Sequence, residues 1–315
     1  MLRNINSFES RFRFQHANAD ELFRAFKAII RENPHIFWLN GAAKANRTTQ
    51  NGFERDISLI PKYTDGTTPA SAKAMSEKLN KTVQLIVQKA KAQKTVFEMV
   101  LYIHDYIAHT TEYSTENELC FTAYGCLINH RACCAGYAKA FQLIAEKIGF
   151  DCGYVSGSSK GNNSLHSKHA WNYIKLGGEY YFIDVTWDDP TVIGDGVSSG
   201  VVTRDYFCLS ERELLLTHNI DKSHYVPYCS GTRYNYYNYA GYFAGNYSYN
   251  TVKQIAQTQL RKKNGFSVKF YDRTELEKAK KDLIDNEKVY SFTGIGSRIS
   301  ILVSQSGLIL TVNNC

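Results

Sequence analysis

The hydrophobic pattern changes period once between residues 133 and 187, and that change sets what the chain can fold into. "CCAGYAKAFQLIAEKIG" places its apolar residues at a spacing of about 3.6, the period of an amphipathic helix. Tyr137, Phe141, Ile144, Ala145 and Ile148 form one stripe, and Gly149 follows where a helix commonly caps. The period then drops to about 2, and "DCGYVSG", "KHAWNYIKL" and "EYYFIDVTW" read as three strands. Gly177 and Gly178 separate the last two as a two-residue hairpin turn would. A helix feeding an antiparallel sheet makes the fold class α+β.

The flanks extend this arrangement. "NADELFRAFKAIIRENP" predicts a helix over 19–32, and "ERDISLIPKY" a strand. "TPASAKAMSEKLNKTVQLIVQKAKAQ", with proline near its first turn, and "TVFEMVLYIHDYIAHTTEY" predict two helices that form a layer ahead of the central helix. Beyond Pro190 a loop, "TVIGDGVSSG", leads to "YFCLS" and then to the tyrosine-rich "YNYYNYAGYFAGNYSYN". The last stretch offers a helix, the strand "FSVKFY", the helix "RTELEKAKKDLI" and the strands "RISILVS" and "GLILTV". The expected organisation is a helical and strand region over 1–94, a core over 95–230, and a tyrosine-rich segment with a small α/β subdomain over 231–315.

A chain of 315 residues buries enough surface to fold without disulfide staples. Its eight cysteines lack the paired spacings of a zinc site, so no metal and no cofactor is expected, and reduced thiols are the default. The net charge of 37 − 30 = +7 is spread along the sequence without a nucleic-acid reading motif, so nucleic acid is not an expected partner. "MLRNINSFESRFRFQ" has no apolar run of signal or spanning length, which argues against membrane insertion. The compartment expected for the chain as it stands is the cytoplasm; a trimmed natural N-terminus would make it secreted or surface-attached.

Cys133 and Cys134 both lie at a helix start, where unpaired amides and the helix dipole favour a thiolate. Either could equally be a small buried apolar residue. A nucleophile needs a base and a group to orient it, and the hairpin offers both. If Gly177 and Gly178 are the turn, Leu176 pairs with Glu179 and His169 faces Thr186, with Asp184 one diagonal step away on the same face. Asp184 sits between Ile183 and Val185, where an unpaired carboxylate would be costly to bury, so a partner is expected and His169 is nearest. Asp188 and Asp189, before Pro190, read as turn residues.

With those residues in view, "FTAYGCLINHRACCAGYA", "CCAGYAKAFQLIAEKIGFDCGYVSG" and "KHAWNYIKLGGEYYFIDVTWDDP" resemble the transglutaminase-like superfamily, in its bacterial branch of cysteine proteases and transglutaminases. The pattern is Cys, any residue, Gly-Tyr-Ala, then His-Ala-Trp-Asn, then Asp-Val-Thr-Trp. "NPHIFWLN" and "YFCLSERELLLTH" carry it more loosely. The resemblance implies a papain/transglutaminase-like core, with a nucleophile helix packed on an antiparallel sheet. It implies Cys134 as nucleophile, His169 as general base and Asp184 as the orienting carboxylate, and it leaves Cys133 as a second thiol where a small aliphatic residue is usual.

The activity so implied is a cysteine-dependent attack on a peptide, isopeptide or carboxamide bond through a thioester, with hydrolysis ahead of acyl transfer and a protein or peptide as substrate. The Cys134 amide is the first oxyanion donor; Tyr124 or an upstream amide is the second. Trp171 and Trp187 either wall the acyl site or pack the hairpin. No calcium-binding loop pattern is present, which disfavours a calcium-dependent enzyme. The competing reading is a non-catalytic module on the same fold that recognises peptide, cell-wall or carbohydrate ligands through the tyrosine-rich segment.

Overall fold

The computed structural model describes residues 1–315 apart from 16–17, 51–52, 161–167, 190–201 and 305–306, so the loop expected over 191–200 lies outside the described residues. Helix α1 (Leu2–Asn6) and strand β1 (Phe12–Gln15) precede α2 (Ala19–Glu32), which begins where the Asn18 side chain accepts the amides of Asp20 and Glu21. Strands β2 (Leu39–Gln50) and β3 (Phe53–Tyr63) pair antiparallel, and β1 joins the free edge of β3. The sequence reading found β3 but not β2. "LNGAAKANRTTQ" is polar and lacks alternation, and it is a strand because β3 pairs along it.

Helices α3 (Pro69–Lys91) and α4 (Val96–Thr110) each open with a capping box, Thr68 with Ser71 and Thr95 with Glu98. Leu79, Val83 and Ile86 from the first and Val100, Ile103 and Ile107 from the second are buried in the main core. Strand β4 (Glu112–Tyr113), α5 (Ala123–Ile128) and β5 (Arg131–Ala132) then lead to α6 (Cys134–Ile148). Every residue of α6 from Gly136 to Ala145 is buried, Lys139 and Gln142 included, so this helix is central and the expected single stripe understates it.

Strands β6 (Cys152–Ser159), β7 (Lys168–Leu176) and β8 (Glu179–Ile183) form the antiparallel sheet, followed by α7 (Val185–Asp188) and α8 (Glu211–Leu214). Strand β9 (His218–Ile220) closes it in the order β8-β7-β6-β9.

Helix α9 (Tyr236–Tyr239), β10 (Phe243–Gly245), α10 (Tyr249–Leu260), β11 (Gly265–Phe270), α11 (Arg273–Lys280), β12 (Ile299–Ser304) and β13 (Ile309–Asn314) complete the chain. The sheet order is β10-β11-β13-β12, with its own buried cluster that includes Val252, Phe266, Val268 and Leu310. Much of the tyrosine-rich segment is spent on packing. Tyr239 stacks on Phe97 at 3.7 Å between ring centroids, the Tyr237 hydroxyl donates to Asp205 at 2.6 Å, and Tyr234 meets Tyr181 edge-on.

Candidate active site

The hairpin keeps the register its glycines imply, but it stops short of the expected pair. Gly177 and Gly178 both have positive φ, 59° and 93°, as a tight hairpin turn requires, and Leu176 pairs with Glu179. The ladder runs only to Asn172 opposite Ile183. His169 therefore faces Gly157 of β6 and not Thr186. After Ile183 the chain turns into α7, with Asp184 as its N-cap: Oδ1 accepts the amides of Thr186 at 3.0 Å and Trp187 at 3.3 Å. Capping one oxygen leaves Oδ2 facing the sheet, where His169 Nε2 meets it at 2.5 Å. The two residues come together by a helix cap and not by cross-strand pairing.

A second imidazole reaches the same oxygen. His218 Nε2 lies 3.1 Å from Asp184 Oδ2, and its Nδ1 lies 2.7 Å from the Thr217 hydroxyl. Burial by itself raises an acid's pKa, but the charge and hydrogen bonds of the two histidines outweigh it and hold the Asp184 carboxyl well below the usual carboxylate range. Burial holds His218 below the usual histidine range. Ligand atoms of His169, Asp184 and His218 lie within 4.8 Å of one another and could hold a metal ion, though each is already engaged in this hydrogen-bonded chain. His218 ends the stretch "YFCLSERELLLTH", which by itself assigns it no role.

Trp171 and Trp187 both lie beside His169, each with its ring centroid 5.7 Å from that of the imidazole. Trp171 is fully buried in the cluster with Val155 and Phe182, whereas Trp187 is partly exposed.

The two thiols divide the helix start between them. Cys133 is the N-cap, and the amides of Ala135 and Gly136 face its sulfur without forming a close cap. Its hydrogen bond with Cys134, aided by those amides, brings the Cys133 thiol down to about 7. The Cys134 thiol is pushed up by its bond with Cys133 and then by burial, and the backbone N–H of Ala170 opposes that rise. Because Ala170 follows His169 on β7, the Cys134 sulfur stands beside the strand that carries His169. Cys133 is 2% exposed, while Cys134 is half-buried and is the more exposed residue of the two.

The remaining motif residues brace these elements. Gly136 is required by close approach: a Cβ there would lie 2.4 Å from the Cys120 carbonyl and 2.7 Å from Ala132. The Tyr137 hydroxyl bonds the Thr111 carbonyl at 2.9 Å and the Asp189 carboxylate. Asn172 donates to the carbonyls of Ala138 at 2.9 Å and Gly153 at 3.2 Å, which ties α6 to the sheet. Asp188 and Asp189 are buried, not turn residues at the surface. Asp188 bonds His104 Nε2 at 3.0 Å, the Thr203 hydroxyl at 2.7 Å and the Tyr206 amide. The Tyr124 ring lies against Phe37, 4.9 Å between centroids, in the main core, and no described contact joins it to Cys134, His169 or Asp184.

The profile of the transglutaminase-like superfamily matches residues 81–185, the stretch that carries the thiols, His169 and Asp184. Residues 81–185 form a transglutaminase-like core. Kyphoscoliosis peptidase of Mus musculus is 29% identical to it over 156 residues, 45% of this chain and 22% of that protein. Kyphoscoliosis peptidase of Homo sapiens is 28% identical over 145 residues, 42% of this chain and 21% of that protein. The chain thus spans only 22% and 21% of the length of these curated relatives. A solved TGase structure aligns over 56% of this chain and 50% of its own, at 15% identity and a TM-score of 0.32. The transglutaminase-like core is where the sequence patterns and the buried His-Asp pair coincide. Among the described residues no helix is long and apolar enough to cross a membrane.

Proposed function

We propose that the chain is a cysteine-dependent enzyme that cleaves a peptide, isopeptide or carboxamide bond through a thioester on Cys134. The observation that carries this reading is the His169–Asp184 hydrogen bond. With Nε2 given to the carboxylate, Nδ1 is the ring nitrogen left for a sulfur and a leaving amine. Asp184 fixes that tautomer and balances the imidazolium.

The Cys134 sulfur attacks the carbonyl carbon as its proton passes to His169. The C–N bond then breaks, and the amine leaves with the proton from the imidazolium. Water, activated by His169, attacks the thioester and frees the acid and the thiol; an amine in place of water gives a new amide. Hydrolysis is the favoured outcome because Cys134 is half-buried and not sealed from water. The Cys134 amide is the first backbone donor assigned to the oxyanion in this reading. A protein or peptide is the substrate class. The binding-module reading loses much of its motive, because Tyr237 and Tyr234 turn inward to Asp205 and Tyr181 and the exposed Tyr239 has one face covered by Phe97.

The test is mass spectrometry of products from a mixed peptide library that contains free amines. Cleavage or deamidation that disappears in Cys134→Ser supports the reading. Products that persist in that variant refute it.

A further inference from the structure

The shared oxygen of Asp184 gives His218 a place in the site. We propose that His218 is a positioning residue that fixes the Asp184 carboxylate, and through it the His169 ring, as the fourth member of a Cys134–His169–Asp184–His218 chain. This rests on the reading of Cys134 and His169 given above.

Topology brings His218 there. On β6, Gly157 pairs with His169 of β7 and Ser159 pairs with His218 of β9. Positions 157 and 159 share a face of β6, so the two imidazoles project on the same side from the two flanking strands. Their ring centroids are 5.3 Å apart. Gly157 is what lets them close: a Cβ there would stand 2.0 Å from the Asn219 carbonyl oxygen and 2.6 Å from Trp171. A side chain at 157 would push β9, and His218 with it, away from the site.

His218 cannot be the base. It is 0% exposed, and its two ring nitrogens are taken by Asp184 and Thr217. Its means of action is through the carboxylate. Oδ1 is already held by the Thr186 and Trp187 amides, so a donor from His218 on Oδ2 removes the last freedom of the carboxylate plane. It also draws charge from that oxygen and so moderates how strongly Asp184 favours the His169 imidazolium. The other titratable groups facing this chain include Cys133 at the N-cap of α6, Tyr113 on β4 and Tyr154 on β6, which face the thiols, and Tyr206, whose ring centroid is 5.7 Å from that of His218.

The test is the pH profile of iodoacetamide alkylation at Cys134 in the full chain, read by peptide mapping, for wild type, His169→Ala, His218→Ala and His218→Gln. Gln keeps an N–H where Nε2 stood. The expected result is that His218→Ala raises the upper limb of the profile by about one pH unit, roughly tenfold in the equilibrium, and that His218→Gln moves it back toward wild type. Equal profiles in wild type and His218→Ala, or equal losses in the Ala and Gln variants, overturn the assignment while the thiol–imidazole reading stands. A wild-type profile that matches a free peptide thiol and ignores His169→Ala overturns that reading and this inference together.

Discussion

His169 Nε2 and Asp184 Oδ2 are 2.5 Å apart across no strand pair, because Asp184 caps α7 and turns its second oxygen back toward β7. Asp184→Asn keeps the shape and can still accept through its carbonyl oxygen, but it loses the charge that supports an imidazolium. Turnover should fall by about 10³–10⁴ with the fold retained, as measured by kcat and circular dichroism on the same sample. Cys134→Ser and His169→Ala should each lose turnover entirely.

The two thiols make a separate prediction. Removing Cys133 takes away the neighbour whose hydrogen bond pushes Cys134 up. Cys133→Ser should therefore leave Cys134 labelled by iodoacetamide from a lower pH than in wild type, with activity kept. In Cys134→Ser the peptide that carries Cys133 should stay unlabelled, because Cys133 is out of solvent reach, and the label that remains should sit on the exposed Cys315. Peptide mapping distinguishes the two, and a label that follows Cys133 would show that the wrong sulfur had been assigned.

How far this site could be read from sequence differs residue by residue. The α6 stripe and the Gly177–Gly178 turn were legible because local chemistry dictates both. Asp184 was legible as an acid in an apolar run, although its route to His169 was not, since a four-residue helix after β8 leaves no periodic signal. His218 lies 34 residues beyond Asp184 on a three-residue strand, too short for any period to show. Asp188 and Asp189 looked like a turn because Pro190 follows them. They are buried because α4 presents His104 and α6 presents Tyr137.

His104 is fully buried, with Asp188 on Nε2 and Asp105 at 2.9 Å on Nδ1. Burial opposes its charge, but the two carboxylates prevail and raise its pKa. A histidine raised on folding stabilises fully below its unfolded value near 6.5, and that stability is lost as pH rises through the folded value. His104→Ala strands Asp188 in the interior and should cost about 3–5 kcal/mol in urea melts at pH 6. The deficit should shrink as the pH is raised.

Lys139 is buried on α6, with the Phe121 carbonyl at 3.2 Å, and burial lowers its pKa from 10.5 to about 8. Its charge works against folding below that value, so wild-type stability should climb between about pH 8 and 10. Lys139→Met should stabilise the protein by roughly 1–3 kcal/mol at pH 7 and lose that advantage near pH 10, as followed by thermal unfolding.

The most direct test of a thiol activated by His169 is the alkylation rate of each cysteine at neutral pH in wild type and His169→Ala. The expected result is Cys134 reacting faster than a free peptide thiol in wild type and slowing sharply in the variant, with the other cysteines unchanged. Cys134 reacting no faster than the peptide, or equally fast in both proteins, would contradict it.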